Sequence, residues 1–173
     1  MNRKKSLIIL IVVLLTFLVF ISTVLAIGDD KHSRPSLKGL KKLMVVVQIE
    51  KPVSDDFKKV GLTEERIRTG IELKLQEAKM DVVYRESLSS DVPILHVEVN
   101  GSKKDGKVFS FLLEAELWQK SLLKRDPKIE VTAATWSMGV FGSGLASHIA
   151  NDMMGLINEM MDTFTKAYFS ANP

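Results

Sequence analysis

The alternation of apolar and polar residues at positions 94–100 is the feature that most constrains how this chain folds. The same alternation returns at residues 109–117. Successive side chains of a β-strand point to opposite faces of the sheet, so each run has one apolar face and one polar face. Asp105-Gly106, between the two runs, is typical of a tight hairpin turn. The pattern therefore predicts two adjacent antiparallel strands that bury one face.

Shorter patterns predict the other elements. They are a strand at residues 43–49, a helix at 61–78 with Thr63 as its N-cap, a short strand at 80–85, a strand at 129–136 and an amphipathic helix at 145–168. The predicted order is β-α-β-β-β-β-α. Strands joined by hairpins and flanked by helices favour an α+β fold, with both helices packed on one face of a mostly antiparallel four- to five-stranded sheet.

The N-terminus has the composition of an export segment. Arg3, Lys4 and Lys5 precede an apolar run at residues 7–27. The run is long enough to span a bilayer, but Val24 and Ala26 also place small or compact residues at the minus-three and minus-one positions of a possible signal-peptidase cleavage after Ala26. We therefore predict a signal peptide or membrane anchor at 1–27, a linker at 28–42 and a single α+β domain at 43–173. The cations place the domain outside the inner membrane in either case.

The charge balance argues against nucleic acid as a partner. The chain has 24 Lys and Arg against 21 Asp and Glu, and three of the cations lie within residues 1–26. The remainder is therefore formally neutral and lacks the positive field that phosphate binding uses. Because the sequence contains no cysteine, thiolate catalysis, cysteine-based zinc sites and a lipid-modified cysteine are also excluded.

Three glycines, Gly139, Gly142 and Gly144, lie between the predicted last strand and the predicted last helix. Free N–H groups at a strand-to-helix bend can bind an anion. However, neither Gly-x-Gly-x-x-Gly nor a complete phosphate loop is present. We expect a structural corner in which Ser143 caps the helix. The alternative is an anion- or phosphate-binding protein, or an enzyme, that uses Gly142, Ser143 and Gly144.

No other set of side chains completes a reactive site. Gly-x-Ser-x-Gly is absent, and the three histidines lie in unrelated segments. His148 and Asp152 share a helix face but have no third ligand nearby. Met153 and Met160 fall on the apolar stripe of the last helix and are interpreted as core residues rather than copper ligands. We therefore predict no catalytic residue, no metal and no cofactor.

Glu114 and Glu116 lie on the polar side of the strand at 109–117, and Trp118 follows in the same alternation. Paired carboxylates are ordinary on the wet side of a sheet. A tryptophan that points outward is instead typical of a contact residue. These three residues are the predicted contact with a partner.

Three stretches carry a resemblance to known sequences. They are the helix beginning GLTEERIRTG at Gly61, the segment AATWSMG at residues 133–139 and the C-terminal AYFSANP. Together they resemble a group of uncharacterised exported bacterial proteins, which implies no defined activity. In the order of its elements the domain is also similar to small envelope-assembly lipoproteins, such as the outer-membrane lipoprotein that helps insert lipopolysaccharide, although the lipid-modified cysteine is missing. Similar folds carry different functions.

These observations together predict a non-enzymatic protein of the cell envelope. It would be periplasmic or anchored to the inner membrane through its N-terminal segment. Its domain would bind another envelope protein or a lipid.

Overall fold

A computed structural model describes residues 25–51, 53–84 and 91–173 of the chain. The predicted signal peptide or anchor at 1–27 lies outside the described residues except at its C-terminal end, so both interpretations of it remain predictions. In the described part, no helix is both long enough and apolar enough to cross a membrane.

The described elements are β1 (Leu25–Gly28), a 3-10 helix (Arg34–Leu37), β2 (Lys42–Ile49), α1 (Ser54–Lys59), α2 (Glu64–Glu77), β3 (Asp81–Val82), β4 (Ile94–Lys104), β5 (Val108–Leu123), β6 (Asp126–Leu145) and α3 (Ile149–Ala171). The predicted order β-α-β-β-β-β-α is confirmed from β2 to α3, and α1 is an additional short helix. Thr63 caps α2 as predicted, because its side chain accepts a hydrogen bond from the Arg66 N–H.

The strands form one sheet in the order β1-β6-β5-β4-β2-β3. The pairs β1–β6, β6–β5 and β5–β4 are antiparallel, whereas β2 is parallel to both of its neighbours, β4 and β3. The α+β prediction with its five strands is thus confirmed, but the sheet is mixed rather than mostly antiparallel, and β1 adds a sixth strand at its edge. Parallel pairing of β2 with β4 is possible because the connection between them is long and passes through α1, α2 and β3.

The core lies between α2, α3 and one face of the sheet. The alternation that predicted the central hairpin is confirmed, because the inward residues of β4 and β5 are buried and belong to one cluster with both helices. That cluster includes Leu95, Val97 and Val99 of β4, Phe109, Leu113 and Leu117 of β5, Ile67, Ile71 and Leu75 of α2, and Met153, Met160 and Phe164 of α3. The two methionines are therefore core residues, as predicted.

The turn between β4 and β5 has the predicted chemistry. Asp105 and Gly106 have φ angles of 51° and 68°. The Lys107 N–H donates to the Lys104 carbonyl at 3.2 Å. Positive φ at both central positions is the signature of the tight turns that match strand twist, and Asp-Gly accepts it at low cost.

Residues 28–42, predicted as a linker, are packed into the domain. Leu37 and Leu40 are buried in the main core cluster. The Ser36 hydroxyl donates to the Thr135 carbonyl of β6 at 3.1 Å, and Gln119 of β5 donates to the Ser36 carbonyl at 3.1 Å. The folded unit therefore begins before residue 43. Its charged residues, Pro35 and Gly39 are typical of a linker, whereas its two leucines pack into the core.

The glycine-rich segment is part of a strand and not a bend. β6 continues to Leu145, where it pairs with Val108, so β5 provides a partner along the whole glycine-rich segment. The helix begins at Ile149 with His148 as its N-cap, and Ser143 is not a cap. The structural corner and the anion-binding bend both require a turn at Gly139–Gly144. Because these residues are part of the strand β6, both predictions are wrong about the local backbone.

Gly142 shows why glycine is needed in this strand. It lies opposite Phe111 of β5. A Cβ at Gly142 would stand 2.7 Å from Cζ of the Phe111 ring. The glycine thus allows a buried aromatic ring to cover the backbone of the neighbouring strand.

Candidate functional site: the uncovered sheet face

The second face of the sheet has no helix on it among the described elements. It carries the residues that alternate with the core positions, and several of them are large and apolar, including Leu112, Phe141 and Trp118. Phe141 of β6 is 55% exposed and Trp118 of β5 is 37% exposed. Exposed aromatic groups on a continuous surface are typical of contact sites.

Three carboxylates meet on this face. Glu98 of β4 lies directly opposite Glu114 of β5, and His96 lies directly opposite Glu116. The side chains of directly opposed residues stand about 5 Å apart at Cβ. Within the described residues, none of the three glutamates forms an ion pair. The face therefore concentrates negative charge that no ion pair of the described residues neutralises.

Neutral donors orient two of these carboxylates. The Asn100 side-chain amide donates to Glu98 at 2.8 Å, and the Trp118 indole N–H donates to Glu116 at 2.9 Å. Each carboxylate keeps acceptor capacity, because an ionised carboxylate has about four lone-pair sites. The arrangement positions the oxygens without removing their charge.

A shallow depression of about 220 Å³ lies beside Glu114. Gly139 stands opposite Glu114 and has no side chain, whereas Leu112 and Phe141 stand opposite each other one step further along the same face. Glu116 also lines the depression. Apolar walls beside carboxylates suit a lysine or arginine side chain, which combines an aliphatic stem with a cationic end.

Trp118 marks the end of the continuous face. Its partner on β4 is Ile94, the first residue of that strand. The pairing of β5 with β6 shifts between Leu117 and Trp118, and beyond this bulge the two strands continue without β4. Bulges commonly redirect a side chain at the edge of a site.

The structure brings the predicted contact residues together. Glu114, Glu116 and Trp118 all lie on β5 and point to one face of the sheet, where β5 is flanked by β4 and β6. That a partner binds them stays a prediction. Sequence reasoning missed Glu98, Leu112 and Phe141. Phe141 could have been found from the in-out alternation of residues 136–141, which extends the last strand into the glycine-rich segment.

The residues of the alternative anion site do not form a cradle. The hollow that Ser143 and Gly144 line has a volume of about 290 Å³ and also contains the side chains of Asp152 and Glu159. Neither lysine nor arginine belongs to that lining. Two carboxylates repel an anion, so this surface is electrostatically unsuited to phosphate.

The described residues also contain no group of three His, Cys, Asp or Glu side chains arranged to hold a metal ion. His148 and Asp152 both lie on the surface at the start of α3. The sequence-based prediction of no cofactor and no metal remains untested by this observation.

Comparisons with known proteins do not place the chain in a family. No protein-family model matches it, and no curated protein matches it. Among solved structures, it is similar to a minor lipoprotein from Acinetobacter baumannii, with 17% sequence identity and a TM-score of 0.32. The match covers 77% of this chain and 94% of that one. A likeness this slight does not establish a shared fold.

Proposed function

We propose that this protein is a non-enzymatic component of the cell envelope that binds a partner protein through the uncovered sheet face. The partner would present a lysine or arginine side chain to Glu114 and Glu116. Its apolar surface would cover Phe141 and Trp118. The observation that carries this proposal is the depression over Gly139, where unneutralised carboxylates and exposed apolar side chains lie side by side.

Charge and apolar surface favour a protein over a lipid as the partner. A bilayer with anionic headgroups would be repelled by Glu98, Glu114 and Glu116. A protein surface can instead offer fixed cations that pair with these carboxylates after water is excluded. Central aromatic residues surrounded by polar groups are the usual arrangement of energetically important contacts.

The N-terminal segment supports an envelope location. Three cations followed by the apolar run at residues 7–27 are typical of a chain exported across the inner membrane. We propose that the domain is periplasmic or is held at the inner membrane by this segment.

Site-specific photo-crosslinking tests the proposed contact. A photoreactive amino acid replaces Phe141 in the full-length protein expressed in its source cells. The matched control replaces Leu73 of α2, which is also 55% exposed but lies on the helical side of the domain. We expect the label at position 141 to give one dominant protein adduct, identified by mass spectrometry, and the label at position 73 to lack it.

A charge reversal makes the test specific. Glu114→Lys combined with the label at position 141 should reduce the adduct by at least roughly tenfold, because a tenfold loss needs only about 1.4 kcal/mol and like charges at an interface cost several kcal/mol. Circular dichroism confirms that the variant is folded. Equal adducts at positions 141 and 73, or an adduct that Glu114→Lys leaves unchanged, would show that this face is not the binding site.

A further inference from the structure

The outer edge of β2 is paired over only part of its length. β3 pairs with Lys42 and Leu43, and the Val83 N–H then donates to the Leu43 carbonyl at 2.9 Å. Asp81 and Val82 are the only two residues of β3. The remainder of β2 extends beyond this short neighbour.

The hydrogen bonds show which backbone groups face this edge. The Met44 N–H donates to the Pro93 carbonyl, and the Glu50 N–H donates to the Val99 carbonyl. Since N–H and C=O of one residue point to the same side in a parallel pair, even-numbered residues face β4 and odd-numbered residues face away from it. Val45 and Val47 therefore direct their backbone groups to the outer edge.

A side chain ends the free stretch on its far side. The Ile49 N–H donates to a carboxylate oxygen of Glu64, at the start of α2, at 3.0 Å. Between that contact and the Val83 bond, no group of the described chain bonds the outward N–H and C=O of Val45 and Val47. Four backbone groups at the spacing of a β-ladder are thus left without hydrogen-bond partners among the described residues.

A cleft of about 410 Å³ lies at this position. Its lining includes residues 45–47 of β2, Arg68 and Glu72 of α2, and Val83 and Tyr84 after β3. A strand edge beside a helix is an arrangement in which other domains receive an extended peptide, because the backbone supplies affinity and the flanking side chains supply selectivity.

We propose that this edge binds an extended segment of a partner polypeptide by strand addition, separately from the uncovered face described above. The segment contributes about three residues to the ladder, since the free stretch is limited by Val83 at one end and by Glu64 at the other. To pair with the N–H and C=O groups of Val45 and Val47, the occupant must offer both acceptors and donors in alternation. Only an extended polypeptide supplies both at this spacing.

A second copy of this chain does not fit the edge through its own β2. In an antiparallel pairing centred on Val46, Ile49 of one copy would stand opposite Leu43 of the other. The outer side of that Leu43 is already occupied by β3, which lies at the usual strand spacing of about 5 Å. The two copies would collide there, so the occupant must be a narrow segment.

Selection of phage-displayed random hexapeptides on the full-length protein in mild detergent tests the proposal. Val47→Pro blocks the edge, because it removes an outward N–H and keeps the donors that face β4, a position where strands tolerate proline. Val47→Thr retains the N–H and is the matched control. Selected peptides, synthesised in free form, should bind the wild type and Val47→Thr and lose at least tenfold affinity for Val47→Pro.

Hydrogen exchange at single amides provides the second measurement. At saturating peptide, exchange at Val45 and Val47 should slow by tenfold or more, while exchange at Val46, already facing β4, should not change. The proposal is overturned if no peptide is enriched, if bound peptides leave Val45 and Val47 unaffected, or if those two amides are as protected as Val46 in the free protein. Since Val47→Pro leaves the Phe141 crosslink intact under this proposal, failure here is distinguishable from failure of the proposed function.

Discussion

Among individual residues, the glutamates of the uncovered face carry a cost to folding that the proposed binding of a partner would offset. Glu98 and Glu114 lie directly opposite each other. Like charges at such positions are destabilising. We interpret their unneutralised charge as the contribution of this face to partner recognition, since the same carboxylates would be neutralised on binding a cation.

We expect Glu114→Gln to increase the free energy of unfolding by roughly 0.2–1 kcal/mol at neutral pH, because it removes one of two opposed like charges and keeps the side-chain shape. Urea denaturation measures the change. Glu159→Gln, at an exposed position of α3, is the control and should have little effect. A loss of stability in Glu114→Gln would mean that the carboxylate has a stabilising partner, against our interpretation.

Asp29 has the opposite role, because its charge stabilises the fold. It accepts hydrogen bonds from Arg34 at 2.6 and 3.0 Å and from the Trp136 indole at 3.2 Å. The Arg34 hydrogen bonds, aided by that of Trp136 and opposed by partial burial, hold the pKa of Asp29 below its ordinary value of 3.8. The residue ties the segment before β2 to β6.

A depressed pKa in the folded state makes this contribution dependent on pH. The unfolded chain binds the proton more readily, so the stabilisation is fully present above about pH 5 and is lost as the pH falls through the folded-state value. We expect the stability difference between wild type and Asp29→Asn, measured by urea denaturation from pH 7 to pH 2.5, to be constant above that limit and to shrink below it. A difference that does not vary with pH would assign the effect to packing.

Among the secondary-structure elements, β6 shows how packing against a neighbour determines a strand. Its glycines favour turns in isolation. In the fold, Gly142 lies beneath Phe111 and Gly144 lies near Ile149. The continuous partner strand and the buried ring outweigh the local preference.

Gly142→Ala tests this packing. The new methyl group would overlap the buried Phe111 ring, so we expect a loss of about 1–3 kcal/mol of stability. Gly144→Ala is the matched control. Its Cβ would stand 3.0 Å from Cδ1 of Ile149, the flexible end of a side chain, and should cost less. Equal losses in thermal or urea denaturation would contradict the assigned role of Phe111.

The end of α3 holds the 3-10 helix through Asn172. Its side-chain oxygen accepts from the Gly39 N–H at 2.7 Å, and its amide donates to the carbonyls of Leu37 and Tyr168 at 3.0 and 2.9 Å. One side chain thus joins the N-terminal and C-terminal segments of the domain.

We expect Asn172→Ala to lower the free energy of unfolding by about 1–3 kcal/mol, because it leaves partly buried backbone groups without partners. Asn151→Ala removes an exposed contact with Arg66 and serves as the control. Protease digestion adds a local measurement, since cleavage near Gly39 should accelerate only in Asn172→Ala. Unchanged cleavage would show that the 3-10 helix is held mainly by Leu37 and Leu40.

In the domain as a whole, the N-terminal segment enters the sheet directly. β1 occupies an edge and pairs Leu25–Gly28 with residues 138–141 of β6. Residues 7–24 alone are within the ~17–25 residues that a transmembrane helix uses. Cleavage after Ala26 would remove half of β1, whereas an anchor would leave the strand complete.

We therefore expect the protein extracted from its own membranes to retain residues 1–26, because the intact chain preserves all four pairs of β1 with β6. Native mass spectrometry of the full-length protein measures this directly. A mass that lacks residues 1–26 would establish a cleaved signal peptide, and the domain would then fold with a shortened edge strand.

Local chemistry was sufficient to predict much of this domain. The in-out alternation of β4 and β5, the Asp105-Gly106 turn and the Thr63 cap depend on neighbours within a few residues, so each was recognisable in the sequence. The placement of Glu114, Glu116 and Trp118 on one face follows from the same alternation.

Contacts between distant segments decided the remainder. The packing of residues 28–42 depends on Asn172 and on β6, more than 90 positions away. The continuation of β6 through its glycines requires β5, and the parallel placement of β2 requires the full connection to β4. Sequence patterns record which face of an element is apolar, whereas the choice of neighbour depends on shape and hydrogen bonding between elements that only the folded chain brings together.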